Sequence, residues 1–362
     1  MTPKSFGSPF TSFASFFTSL FTSMSVAAIA ALMLLTPPAQ GQIQRDAQLQ
    51  KAVKTSPSTK MPKAWTPTRT PDGQPDLQGV WTNATLTPFE RPAEFAGKAT
   101  ITDQEAAAIE KRASQNRVDR PPQAGDPGSY NQVFFDSGTT WLSTRQSSLV
   151  VDPPDGKVPV KPAAEAQRSY DLAHVADAPE HQTTWERCIT RGVPAGMFPA
   201  GYDNAYQILQ TPGYVVIFSE MIHEARVIPL DGRPHLPKGV RQWNGDSIGR
   251  WEGNTLVVDT TNYNGKGMIA TSAATARIRG VHESEALHVV ERFKRVDADT
   301  ISYEVAIDDP NMFSAPWKVS MPLTRDAEYT IYEYACHEGN YAMEAILRGG
   351  REKEKAAAVA AK

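Results

Sequence analysis

Three of the seven histidines are followed directly by a glutamate: His223-Glu224, His282-Glu283 and His337-Glu338. Each pair sets a proton carrier beside a carboxylate, the residue types that general acid–base chemistry uses. Neighbours on a strand point to opposite faces, so only one member of a pair can look into an interior. The β-prone run 214–228 shows the choice. One face carries Tyr214, Val216, Phe218, Glu220, Ile222 and Glu224; the other carries Val215, Ile217, Ser219, Met221, His223 and Ala225. With the first face inward, Glu220 and Glu224 are interior acids. With the second inward, His223 stands on an apolar wall.

Leu287, Val289, Glu291 and Phe293 form another row, and Tyr303, Val305 and Ile307 form a matching apolar row across a turn. A carboxylate in such a row is paired, hydrogen-bonded, or neutral with a raised pKa. The last condition suits a general acid or base near neutral pH. Asp259, between Val257 and Thr261 on one face, is placed similarly. The candidate catalytic set is therefore Glu220, Asp259 and Glu291 as acid and base, with His223 and His337 as proton carriers. A structural ion pair is the competing role for each acid, and Glu291 already neighbours Arg292.

The stretch 241–252 supplies a candidate binding platform in Arg241, Trp243, Asp246 and Trp251. Indole rings stack on rings, sugars or cations. The alternative is a barrel-end cap with Trp251 plugging the core. A metal site would require His223, His282 or His288, and His337 to converge. No H-x-H or H-E-x-x-H spacing supports it, and neither metal nor cofactor is assigned. The chain has no P-loop, no G-x-S-x-G elbow, no C-x-x-C-H, and no G-x-G-x-x-G after a strand.

Hairpin signals place these residues. From residue 205 onward, β-prone runs are separated by Pro212-Gly213, Asp231-Gly232, Gly253-Asn254 and Asp297-Ala298-Asp299. They predict about eight antiparallel strands, the last over 329–337. Polar residues on both faces of several strands favour a closed, partly polar barrel over a sandwich. The expected class is mainly β: a calycin- or lipocalin-like antiparallel barrel with an irregular N-terminal extension and a few short helices. Thr102 with Glu105 predicts a capping box opening one helix. A helix over 163–172 and a last one from Tyr341 to Leu347, broken at Gly349-Gly350, complete the set. The expected divisions are 1–41 signal peptide, 42–75 flexible lead-in, 76–202 irregular and helical wrap, 203–348 barrel core and 349–362 charged tail.

The first division rests on Lys4, the apolar run 25–35 and the small residues Ala39 and Gly41. That pattern predicts a cleaved secretory signal and a periplasmic or secreted protein. The apolar run is too short to span a bilayer, so no membrane span is expected after cleavage. Net charge is −3 with no long basic block, which argues against nucleic acid as a partner. In an exported chain Cys188 and Cys336 are candidates for a disulfide; two separate buried thiols are the alternative. The partner class is a small molecule.

The strings TPDGQPDLQGVWTN (70–83), SLVVDPPDGKVP (148–159), GRWEGNTLVVDTTNY (249–263), VERFKRVDADTISYEV (290–305) and EYACHEGNY (333–341) resemble a family of exported proteins from soil and environmental bacteria. The resemblance implies one shared architecture and an exported setting. It brings no activity, substrate or catalytic residues. The side chains themselves point first to a cofactor-free barrel enzyme, a lyase, isomerase or hydrolase acting on a small glycoside or phenolic compound. A non-catalytic lipocalin-like binder, a metal-binding periplasmic protein and a structural envelope protein are the alternatives.

Overall fold

The long β-prone tract 214–228 turns back on itself. Tyr214–Ser219 (β4) and Glu224–Pro229 (β5) are separate antiparallel strands joined by a turn at Glu220–His223. The computed structural model that shows this describes residues 65–117, 119 and 135–361, all within one unit, Asp46–Lys362. The expected signal segment, the lead-in up to residue 64 and most of the predicted 117–130 loop lie outside the described residues.

The other strands are β1 (Gly79–Thr82), β2 (Val150–Asp152), β3 (Ala205–Thr211), β6 (Asp246–Glu252), β7 (Thr255–Thr261), β8 (His288–Arg295), β9 (Thr300–Asp308) and β10 (Trp317–Arg325). Nine of them form a nearly closed antiparallel barrel in the order β5-β4-β3-β1-β10-β9-β8-β7-β6. β2 pairs with the first half of β10, and β1 with its last residues. The β3–β4, β6–β7 and β8–β9 hairpins turn at Pro212-Gly213, Gly253-Asn254 and Asp297-Ala298-Asp299 as expected from the sequence, whereas the β4–β5 turn is not marked there. Placing β1 between β3 and β10 corrects the predicted boundary at 203, because residues 79–82 are part of the barrel wall.

β5 and β6 face each other across the one seam, without a backbone ladder among the described residues. Side chains close it instead. A Cβ on Gly249 of β6 would lie 2.6 Å from Leu230 Cδ2 and 2.9 Å from Ile228 Cγ2. Glycine is required there for the two edges to approach. Inside, period-two alternation gives one apolar core. Leu256 and Val258, Val289 and Phe293, Tyr303 and Val305, and Val319, Met321 and Leu323 are all buried. Each such side chain contributes roughly 1.5–3 kcal/mol by leaving water. Phe89, Phe198, Phe313 and Trp317 pack edge-on and tilted as one aromatic group in the same core.

Among the described residues three α-helices lie outside the barrel wall: α1 (Asp103–Asn116), α2 (Pro162–Ala173) and α3 (Ala342–Ala360). The Thr102–Glu105 capping box opens α1 as the sequence predicts. α3 runs straight through Gly349-Gly350, where the sequence suggests a break. Its Ala, Lys and Glu neighbours are strong helix formers, and each glycine costs only about 1 kcal/mol. Residues 329–337 are not a strand; they cross one end of the barrel as irregular chain. Among the described residues no helix is long and apolar enough to cross a membrane.

Candidate active site

The turn between β4 and β5 is the most strained part of this region. Ile222 has φ 63° and His223 φ 43°. A β-branched residue held in the left-handed region costs about 1–2 kcal/mol. Packing offsets that cost, since Met221, Ile222 and Ala200 bury against Trp185, Tyr202, Tyr334 and Cys336. A disulfide between Cys188 and Cys336 ties two of the covering segments together. Strain held in place by surrounding structure is a feature of functional sites. Here its consequence is geometric: Ser219 pairs with Glu224, and Glu224, Arg226 and Ile228 face inward.

Arg226 reaches across the seam into the barrel. Its Nη2 donates to Glu291 Oε2 at 2.5 Å and to Thr260 Oγ1 at 3.0 Å, and its Nε donates to Ser247 Oγ at 3.0 Å. The Tyr303 hydroxyl donates to the other Glu291 oxygen at 3.0 Å. Burial alone would lower the Arg226 pKa, but the adjacent Glu291 carboxylate holds it above its ordinary value. Glu291 faces the apolar interior as predicted, yet both its oxygens are engaged and it is 0 % exposed. It serves as the counter-ion of Arg226.

Beside this pair lies a small cleft of about 30 Å³, lined by two residues of the inward β5 face, Glu224 and Arg226. Arg191 and Asn244 add polar groups to the wall; Val193, Met197, Ile217 and Met221 make up its apolar part. The Thr190 hydroxyl donates to Glu224 Oε2 at 2.6 Å, and Asn244 Nδ2 donates to Oε1 at 2.5 Å. Burial raises the Glu224 pKa above the ordinary carboxylate value, against the effect of these two bonds and of Arg226. A carboxyl group so placed can exchange a proton nearer neutral pH than a free one.

The predicted catalytic residues do not converge on this cleft as a set. Glu220 is buried beneath the irregular segment after β10, where the Tyr329 hydroxyl lies 2.9 Å from both its oxygens and the Tyr332 N–H donates to one of them at 2.9 Å. Burial raises its pKa, as it does that of nearby Asp203, which is pushed up to about 6. Glu220 and Glu224, which an unbroken strand would put on one face, are separated by the turn. His223 is exposed, with Nδ1 2.7 Å from the Tyr334 carbonyl, and His337 is exposed on the same covering segment. His282 contacts Asp171, and His288 contacts Asp259. The histidine convergence required for a metal is therefore not formed. Among the described residues no group of three or more His, Cys, Asp or Glu is arranged to hold a metal ion.

Asp259 lies on the outer face of the barrel, because Leu256, Val258 and Thr260 take the inner one. His288 Nε2 is 3.0 Å and His235 Nε2 3.2 Å from its Oδ1; His235 Nδ1 is 2.9 Å from Asp246 Oδ2. His235 thus bridges two carboxylates with both nitrogens, which favours its charged form. The bond to Asp259 raises its pKa above 6.5, burial opposes this, and Asp246 reinforces it. For Asp259 burial acts upward, but the two histidines outweigh it and hold the pKa below 3.8. A raised histidine stabilises the fold below pH 6.5 and loses that contribution as pH rises through its folded value. A depressed aspartate stabilises above pH 3.8 and loses its contribution as pH falls. The advantage of the native chain over His235→Gln in urea denaturation is therefore expected to peak between about pH 4 and 6.5 and shrink in alkali. A difference that stays flat into alkali would remove His235 from this role.

The tryptophans do not form one platform. Trp243 adjoins Asn244 at the cleft end of β6, whereas Trp251 packs against the core beside the Gly253-Asn254 turn at the other end. The turn at 243–245 and five strand steps from Asp246 to Trp251, roughly 17 Å, lie between them. Trp251 is a plug, the alternative the sequence allowed. Arg241 pairs with Glu285 at 3.0 Å and steadies the loop before β6. Asp246 accepts from the Leu236 N–H at 2.8 Å as well as contacting His235, and so anchors the β5–β6 loop.

Sequence reasoning did not single out Arg191, Arg226, Asn244 or Thr190. Arg226 carries a readable signal: in Glu224-Ala225-Arg226-Val227-Ile228 the charges share the face of an apolar residue, once the turn is placed before Glu224. Arg191 sits in irregular chain and carries none. No family model matches the chain, and no curated protein or solved structure matches it at a significant level.

Proposed function

We propose that this chain is an exported enzyme that performs acid–base chemistry on a small organic molecule in the cleft beside the β4–β5 turn, with Glu224 as the proton-transferring group. The observation that carries the reading is Glu224 itself. It is a carboxyl group with a raised pKa, positioned by Thr190 and Asn244, on the wall of a cleft that also holds two guanidinium groups. The reaction class is elimination, hydration, isomerisation or hydrolysis, and the substrate class a small glycoside or phenolic compound. The N-terminal apolar run and the disulfide support export. The resemblance to exported bacterial proteins agrees with that setting.

A lipocalin-like binder is the second reading. The apolar wall of Val193, Met197, Ile217 and Met221 favours it, as does the engagement of both Glu224 oxygens. One experiment separates the two. The purified mature chain is incubated in D2O with a panel of phenolics and glycosides and followed by NMR. Turnover or deuterium incorporation that falls at least about 100-fold in Glu224→Gln supports the enzyme, since general acid–base catalysis is worth that much. Ligand line-broadening with no chemical change in any compound supports the binder.

A further inference from the structure

Three side chains beside the cleft close a hydrogen-bonded ring. Thr190 Oγ1 lies 2.6 Å from Glu224 Oε2 and 2.9 Å from Asn244 Oδ1, and Asn244 Nδ2 lies 2.5 Å from Glu224 Oε1. Each of these contacts needs one proton between its two heavy atoms. Thr190 has a single hydroxyl proton, and Asn244 turns one N–H into the ring. An ionised carboxylate brings none, so with Glu224 charged one contact joins two acceptors. The Thr190 hydroxyl can then serve Glu224 or Asn244, but not both. A proton on Glu224 supplies the missing bond: Glu224 donates to Thr190, Thr190 to Asn244, and Asn244 to Glu224. Turning the Asn244 amide over reverses the direction of the ring and leaves the count unchanged. The Gly192 N–H donates to Thr190 Oγ1 at 2.9 Å, which fills the hydroxyl's capacity of one donor and two acceptor positions.

We propose that Thr190 and Asn244 are positioning residues that hold Glu224 as a neutral carboxylic acid, so that it enters the reaction as the proton donor. This rests on the reading of Glu224 as the proton-transferring group and assigns it the acid's part. In the step itself the Glu224 O–H bond breaks, the proton goes to a lone pair of the substrate, and the electron pair stays on the carboxylate. The Thr190 hydroxyl then turns from Asn244 to Glu224 and stabilises the new charge. Burial also favours the neutral form, and it outweighs the charged neighbours that oppose it, Arg226 on the same strand and the adjacent His223. Arg191 faces the same cleft, and Arg226 is itself neutralised by Glu291. Glycoside hydrolysis, which opens with protonation of the leaving-group oxygen, fits this resting state better than elimination, which opens with proton abstraction.

The test uses the mature full chain carrying 13C in its glutamate side-chain carboxyls. The Glu224 signal is identified by its loss in Glu224→Gln, whose amide donates to Thr190 and accepts from Asn244 and so preserves the ring. At about pH 6 a free glutamate is almost wholly ionised. The infrared band of Glu224 is expected there at the position of a protonated carboxyl, and carboxylate bands alone overturn the proposal. Carboxyl NMR then gives the titration midpoint. Thr190→Val removes the acceptor of the Glu224 proton and should lower the midpoint by about one pH unit, a ten-fold loss of proton affinity; Thr190→Ser should restore it. A hydroxyl that only donates to a carboxylate gives the opposite sign, so a midpoint that rises or stays in Thr190→Val overturns the proposal. The infrared measurement needs no threonine variant, so one that fails to fold leaves the test intact. Turnover of any glycoside or phenolic should fall as pH rises through the native midpoint. Turnover that rises there makes Glu224 a base, which keeps the enzyme and sinks the acid's part. A protonated Glu224 without turnover of any compound keeps the ring and sinks the enzyme reading.

Discussion

Glu291→Ala is expected to lower the free energy of unfolding by about 3–5 kcal/mol. The variant leaves the Arg226 guanidinium inside the barrel with only two hydroxyl partners, Ser247 and Thr260. It also strips the buried Tyr303 hydroxyl of its acceptor. A buried charge that loses its partner costs far more than the pair contributed in the first place. Replacing both ends, as Arg226→Met with Glu291→Leu, should therefore recover most of the loss. Urea denaturation of the two single variants and the double variant gives the coupling directly. The sequence alone leads to another expectation, in which alanine at Glu291 ends turnover and spares the fold. A loss under about 1 kcal/mol would restore that view, because it would mean that Arg226 finds water or another partner.

The parts of this fold that were legible in the sequence are those governed by local rules. Gly253-Asn254 and Asp297-Ala298-Asp299 reverse the chain where turn chemistry requires, and alternation in β7 to β9 separates inner from outer residues. The capping box of α1 is likewise a four-residue signal. What escaped was non-local or lacked a marker. The turn at Glu220–His223 contains no Gly, Pro, Asn or Asp, and forms because Met221 and Ile222 bury in a satellite core assembled from distant segments. One missed turn shifts every face assignment after it, so Glu220 and Glu224 were joined when they belong to different environments. The aromatic alternation of Tyr332 and Tyr334 looks like a strand, but this chain is irregular and its backbone bonds go to the Glu220 carboxylate and the His223 ring. Glu291 was found on the correct face, while its partner Arg226 lies 65 residues away and becomes visible only when β5 meets β6. Thr190 and Asn244 lie 34 and 20 residues from Glu224, and a ring closed over such distances cannot be read from a sequence.

Loss of the Cys188–Cys336 disulfide is expected to be the other large effect. The cross-link spans 148 residues of chain, and constraining a loop of that length in the unfolded state contributes up to about 5 kcal/mol, with 2–5 the usual loss. The double variant Cys188→Ser, Cys336→Ser should accordingly denature at markedly lower urea concentration than the native chain under oxidising conditions. Dithiothreitol should reduce that gap. The local effect should exceed the global one at the cleft. Cys336 belongs to the segment that covers Glu220 through Tyr329 and Tyr332 and holds the His223 ring through the Tyr334 carbonyl. The same segment helps bury Ile222 in its left-handed conformation. Without the cross-link, that covering chain is held only by hydrogen bonds and modest apolar area, and local opening takes less free energy than global unfolding. Limited proteolysis should therefore cut the double variant first within 326–341, under conditions where the barrel remains folded. Cleavage elsewhere first, or a pattern identical to the native chain, would show that packing alone secures the turn. The position of Glu224 and Arg226 would then depend on the β4–β5 hairpin and not on the bridge above it.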